Sequence, residues 1–226
     1  MRSLLAAALV VGSGLTGCAA SGGVSSASGS ATAPTVAPAD PSADAASDSD
    51  GSGDSADPAI YAAAVLRQAA PAGIDPQLLM AIVYNESYKP HDPNAQRMWQ
   101  ALNPSASFGI VNMHHAAFDQ ARRGRSFANR QFDELPDDPD LALQAAAWYL
   151  HDLSRMLPAG PPTKLTHDQL LALGYNTGPR NMRLFARGVT PGPMAQTYLD
   201  TLQSNWVRAA AALTKVGKPS ARPTAG

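Results

Sequence analysis

The chain has 226 residues and one cysteine, Cys18, so no intrachain disulfide can form and the fold must hold by packing alone. Charge of one sign is also missing. The formal net charge is -1, and no stripe of Lys and Arg marks a face for phosphate backbones, so no nucleic-acid partner is expected. Metal-ligand patterns are absent: there is no His-Glu-x-x-His, no second cysteine, and His114 and His115 are adjacent and point apart on a helix. Asp137-Asp138-Pro139-Asp140 has the charge of a calcium loop without its glycine and terminal glutamate, and reads better as the acidic start of a helix. A Gly-rich phosphate loop and a Gly-x-Ser-x-Gly elbow are missing too, so neither metal nor cofactor is expected. Strand alternation and repeats are absent.

Long hydrophobic runs are lacking as well. Leu4 to Val11 is apolar but far short of the roughly 20 residues that span a bilayer. Behind the basic start Met1-Arg2-Ser3 it has the anatomy of a signal peptide. Leu15-Thr16-Gly17-Cys18 follows and resembles a bacterial lipobox. That resemblance implies cleavage before Cys18 and a lipid on its sulfur, anchoring the chain to a cell-envelope membrane on its extracytoplasmic side. The alternative is an ordinary secretory signal with an incidental cysteine. From Ala19 to Pro58 there is no aromatic residue, no Leu, no Lys and no Arg. Such a segment cannot bury enough apolar surface to offset the entropy of ordering it. Its aspartates, from Asp40 to Asp57, repel one another and extend it into a tether.

Helical patterning begins near Ala59, giving a mainly α fold. The expected layout is a leader over 1–17, a lipidated Cys18 and disordered linker to 58, one helical domain over 59–213, and a disordered tail over 214–226. A first helix is expected to use Ile60, Ala63, Ala64 and Gln68 as its face, ending at Gly73. Asp75-Pro76 starts a second, with Leu78, Leu79, Ile82 and Val83 at helical spacing, leading to Glu86. Residues 88 to about 110 read as a long loop, in which Trp99 is either a sugar-stacking platform or a lid anchored in the core. Further helices are expected from Met113, from Asp138-Pro139, from Thr166 with interruptions at Gly174 and Gly178-Pro179, and from Pro193 with Met194, Tyr198, Leu202, Trp206 and Val207.

Four segments occur in order: an apolar helix ending Asn85-Glu86-Ser87, then Ser107-Phe108-Gly109-Ile110-Val111-Asn112-Met113, then Ala145 to Leu150, then Gly174-Tyr175-Asn176-Thr177-Gly178. Tyr198-Leu199 is a possible fifth. This order, over Ile74 to Trp206, resembles the soluble lytic transglycosylases, which share a lysozyme-like fold with goose-type lysozymes. The resemblance implies that Glu86 is the catalytic acid, that peptidoglycan glycan strands are the substrate, and that the bond between N-acetylmuramic acid and N-acetylglucosamine is cut. It also implies one carboxylate acting as acid and then base, with the sugar's own 6-hydroxyl capturing the intermediate as a 1,6-anhydro end.

The residues suit that chemistry. Breaking a glycosidic bond needs a proton on the leaving oxygen, and an apolar setting raises the pKa of a carboxyl so that it can carry one near neutral pH. Most glycosidases use a second carboxylate. Glu86 at the end of a helix is otherwise a surface glutamate mismatched to the dipole. Tyr175 and Asn176 offer an aromatic face and an amide to a sugar, or simply end their helix with Gly178. Tyr198 is placed either against Glu86, holding its rotamer, or in the core. Ser107 contacts substrate or Glu86, or caps its turn. Asn112 stands where the family usually has Gln, one methylene shorter, which shifts its expected sugar contact. Two other readings stay open: a muramidase on the same fold that releases reducing ends, and a non-catalytic glycan-binding lipoprotein.

Overall fold

The computed structural model describes residues 57–86, 92–103, 106–160 and 162–217. The expected leader, Cys18, the linker through 56, Ser87 and the tail beyond 217 lie outside the described residues. Among those described there are eight α-helices: α1 (Ala62–Ala72), α2 (Pro76–Glu86), α3 (Pro93–Leu102), α4 (His115–Arg122), α5 (Pro139–Arg155), α6 (His167–Thr177), α7 (Pro179–Ala186) and α8 (Pro193–Gly217). Short 3-10 turns, Pro58–Tyr61 and Phe132–Glu134, complete the set. The only strand-like pairing among them is an isolated antiparallel bridge between Phe108 and Met113. The fold is mainly α, as the sequence predicts.

Asp-Pro pairs set several of these starts. Proline fixes φ near the helical value and has no N–H to leave unpaired at the first position. The aspartate before it accepts an orphan backbone N–H and faces the positive pole of the dipole. Asp75 accepts from Gln77 N at 2.8 Å, Asp92 from Ala95 N at 2.7 Å and Asp138 from Leu141 N at 2.9 Å. Asp57 does the same for the first 3-10 turn, from Ala59 N at 3.0 Å. α6 uses a reciprocal cap instead: Thr166 Oγ1 accepts from Gln169 N, and Gln169 Oε1 accepts from Thr166 N.

α2 is the central helix. Every residue from Leu78 to Glu86 is buried, as expected of a helix apolar on all sides. It packs on α8 most extensively, and on α1, α5 and α6. α5 adds Leu141, Leu143, Leu150 and Leu153, with Ala142, Ala145, Ala146 and Ala147 between them letting neighbours approach closely. Burial on this scale supplies the hydrophobic term that a chain without disulfides depends on.

Several expectations are corrected. Segment 88–110 contains α3, because Asp92-Pro93 starts a helix as the other Asp-Pro pairs do. Trp99 on α3 is 56% exposed and does not anchor a lid in the core. α1 buries Ala62, Val65, Ala69 and Ala72, a face rotated from the expected one, and leaves Ile60 exposed. The helix expected from Met113 begins at His115. Met194 and Val207 of α8 face outward. α8 also runs on to Gly217, past the expected domain end at 213.

Gly174 does not interrupt α6; it lies buried inside it. A Cβ there would stand 2.6 Å from Met182 Sδ and 3.1 Å from Leu153 Cδ1. The glycine therefore permits the close approach of α6 to α7 and α5. Gly174→Val should lower unfolding free energy by about 1–3 kcal/mol through overpacking, measured by urea denaturation. Gly192→Ala, at a position where nothing lies within 4 Å of the added carbon, should change it by less than about 0.5 kcal/mol.

Candidate active site

Glu86 is the last residue of α2 and is 8% exposed, so the apolar helix delivers a carboxylate into the protein with little water around it. A buried carboxylate is tolerable only where donors replace the lost water. Tyr198 and Asn112 are among them, on different oxygens. The Tyr198 hydroxyl, from α8, donates to Oε1 at 3.1 Å. The Asn112 amide donates to Oε2 at 3.0 Å and reaches the Glu86 carbonyl at 3.1 Å. That carbonyl belongs to the helix end, where acceptors lack an intrahelical partner.

Asn112 reaches this position because of the turn that carries it. Phe108 and Met113 exchange two backbone hydrogen bonds of 2.9 Å, and Asn112 N donates to Gly109 O at 3.0 Å. Phe108, Ile110, Val111 and Met113 are buried, so the turn is pinned by its own side chains. Gly109 has φ +73, and a Cβ on it would stand 3.1 Å from Leu135 O; an L side chain is disfavoured on both counts. Asn112 has φ +44, a left-handed conformation that asparagine tolerates better than most residues. α3 braces the turn from outside, with Gln96 Oε1 accepting from Gly109 N at 2.8 Å. Its Arg97 pairs with Asp137.

Tyr175, on α6, holds the same turn from the other side. Its hydroxyl donates to Val111 O at 2.8 Å, and its ring meets Tyr149 edge-on with centroids 5.9 Å apart. The hydroxyl proton is thus committed to the backbone, and the ring face remains as its contribution to a cleft. A cavity of about 360 Å³ opens here, lined by Asn112, Met113, His114, Tyr149, Tyr175 and Asn176 among others. That lies within the usual range for small-ligand sites, about 300–1,000 Å³. Asn176 is exposed at its lip. Ser107 is half-buried before Phe108. A larger cavity of about 670 Å³, between Pro162–Leu165 and Gly188–Pro191, has Lys164 as its one charged lining residue and does not include Glu86 or its partners. The smaller cavity shares Asn112 with the carboxylate.

Sequence reasoning placed Glu86, Asn112, Tyr175, Asn176 and Tyr198 in one site, and the structure brings them together. It assigned Asn112 to the sugar, whereas the amide is turned onto Glu86. It missed Asn85 and Asn205, both buried, whose amides meet with Asn205 Nδ2 donating to Asn85 Oδ1 at 2.8 Å. The available signal was Asn85 itself, an amide in an otherwise apolar helix beside the key glutamate. Among the described residues no group of three or more His, Cys, Asp or Glu is arranged to hold a metal ion.

Parts of the Tyr175 and Tyr198 rings reach the surface, but their hydroxyls are buried. Burial first, and the negative charge of Glu86 second, push both phenols well above the usual tyrosine value. The neutral phenol is therefore favoured in the folded state. The stability this contributes is fully present below about pH 10, where an unfolded tyrosine ionises, and is lost as pH rises through the higher folded-state values. In ultraviolet difference titration these two phenols should remain silent near pH 10 and ionise only at higher pH. Tyr198→Phe should remove one of them.

The Transglycosylase SLT domain family model matches residues 64–188. Neither a curated protein nor a solved structure matches the chain. The family match takes in Glu86, the Gly109 turn, Tyr175 and Asn176, and stops short of α8, so Tyr198 lies beyond it. With more than half of its residues inside that match, and a mainly helical fold, the chain belongs to the transglycosylase SLT family of the lysozyme-like superfamily, whose members act on peptidoglycan.

Proposed function

We propose that this protein is a lytic transglycosylase that cuts the bond between N-acetylmuramic acid and N-acetylglucosamine, with Glu86 as its single catalytic carboxylate. The observation that carries the reading is the buried Glu86 carboxylate, which accepts from Tyr198 on one oxygen and from Asn112 on the other. A carboxyl oxygen has more than one acceptor site, so protonated Glu86 keeps both contacts and still has a proton to give. It delivers that proton to the leaving glycosidic oxygen. As carboxylate it then takes a proton from the sugar's 6-hydroxyl, which closes the 1,6-anhydro ring. Bond making and breaking balance without a second carboxylate or an added water.

The cavity beside Asn112 takes one sugar, with the Tyr175 face against the ring and the exposed Asn176 amide available to an N-acetyl group. Asn112 and Tyr198 are positioning residues in this scheme, since both act through Glu86. Ser107 completes the substrate side of the turn. The leader over 1–17 is removed, Cys18 carries the lipid, and the acidic linker gives the domain reach from the extracytoplasmic membrane face to the glycan. No cofactor takes part.

Glu86→Gln should lower glycan cleavage by at least about a hundredfold, the low end of what a general acid–base group contributes, assayed by chromatography of fragments from purified peptidoglycan. Asn112→Ala should cost roughly tenfold in kcat through loss of one donor to the carboxylate. Cys18→Ser should move the protein from the membrane to the soluble envelope fraction, followed by immunoblotting. If it remains in the membrane fraction, the anchor is elsewhere.

A further inference from the structure

The contact between α2 and α8 carries a set of side-chain amides that the glycan chemistry itself does not use. Gln77 Nε2 donates to Trp206 O at 3.0 Å, and Asn85 Nδ2 donates to Tyr198 O at 3.2 Å. Gln77 and Asn85 are as far apart along α2 as Tyr198 and Trp206 are along α8. The two bonds are therefore rungs that fix one antiparallel register between the helices. At the Asn85 rung the structure adds a second amide. Asn205 Nδ2 donates to Asn85 Oδ1 at 2.8 Å, and Asn205 Oδ1 accepts from the Arg208 guanidinium at 3.2 Å. Arg208 in turn lies 4.5 Å from the centre of the Tyr84 ring. Asn85 and Asn205 are 6% and 7% exposed.

Two buried amides in an otherwise apolar helix contact are costly unless fully paired, and packing alone would hold α2 on α8. Their position is informative. Asn85 precedes Glu86, and the carbonyl it grips belongs to Tyr198, the residue whose hydroxyl meets Glu86 Oε1. Asn205 lies two helical turns from Tyr198, on the same face of α8. Apolar packing tolerates small slides and rotations of one helix on another, whereas a donor aimed at one particular carbonyl does not.

Resting on the reading of Glu86 as the catalytic carboxylate, we propose that Asn85 and Asn205 are positioning residues that lock the register of α8 so that the Tyr198 hydroxyl stays on Glu86. The fold alone does not require them. Replacing both with leucine removes donor and acceptor of the Asn205–Asn85 bond together, which leaves no orphaned side-chain amide. The test compares four full-length proteins: wild type, Asn85→Leu with Asn205→Leu, Tyr198→Phe, and all three changes combined. The leucine pair should lower kcat on glycan strands roughly ten- to a hundredfold, the scale of a small misplacement in an active site, with KM unchanged within about twofold. In the Tyr198→Phe background it should cost nothing further, since the two act through one contact. Equal losses with and without Tyr198, or full kcat in the pair, would overturn the proposal.

A second readout needs no activity. The Tyr198 phenol, taken as the difference between proteins with Tyr and Phe at 198, should ionise at lower pH in Asn205→Leu, a change that keeps the Asn85 amide whose own contact lowers that phenol, because the phenol leaves its buried place beside Glu86. An unchanged titration also overturns the proposal. If the pair fails to fold, Asn205→Ser, a smaller change, is read by the same cycle and the same titration. Wild-type protein that leaves glycan uncut would defeat the transglycosylase reading, while the titration would still decide the register lock.

Discussion

Burying a carboxylate at the C-terminal end of an apolar helix is the constraint around which this protein is arranged. The helix end is the negative pole of the dipole, and the surroundings offer little water. Both work against a charge on Glu86 unless donors are brought to it. A donor comes from α8, far along the chain, and another from the turn at Gly109. Each donor brings its own requirements. Tyr198 needs α8 seated on α2 in one register. Asn112 needs a left-handed backbone, a neighbouring Gly109 that clears Leu135, and the braces from Gln96 and Tyr175. Much of the architecture between residues 74 and 206 can be read as meeting those requirements.

Local signals in the sequence were legible where a short physical rule decides the outcome. Asp75-Pro76 and Asp138-Pro139 announced their helices, and the run from Leu78 to Val83 announced a helix that delivers Glu86. The same rule applies to Asp92-Pro93, which starts α3 inside the segment that reads as a long loop. Gly174 shows the opposite error: a glycine that looked like a breaker serves the close packing of α6 on Met182. Such a choice depends on what lies opposite, and no local pattern carries that information.

The site was legible as a set of residues more than as a set of bonds. Tyr198 was expected against Glu86 or in the core, and the structure gives the first of these. Asn112 was expected on the sugar and instead holds the carboxylate. Asn85 and Asn205 escaped notice because their partners are 113 and 120 residues away in the chain. Pairings across that separation are set by how α8 docks, which periodicity does not encode. The shorter side chain at 112 now has a physical sense. It is turned toward the end of α2 by a left-handed backbone, where it serves both the carboxylate and the last carbonyl of the helix.

The central claim is that one carboxylate suffices because the sugar supplies its own nucleophile. Cleavage of purified peptidoglycan in water enriched in oxygen-18, followed by mass spectrometry of the new chain ends, tests it directly. The account predicts muramic-acid ends one water lighter than reducing ends and free of label. Reducing ends carrying oxygen-18 would mean that water attacks, and would contradict it.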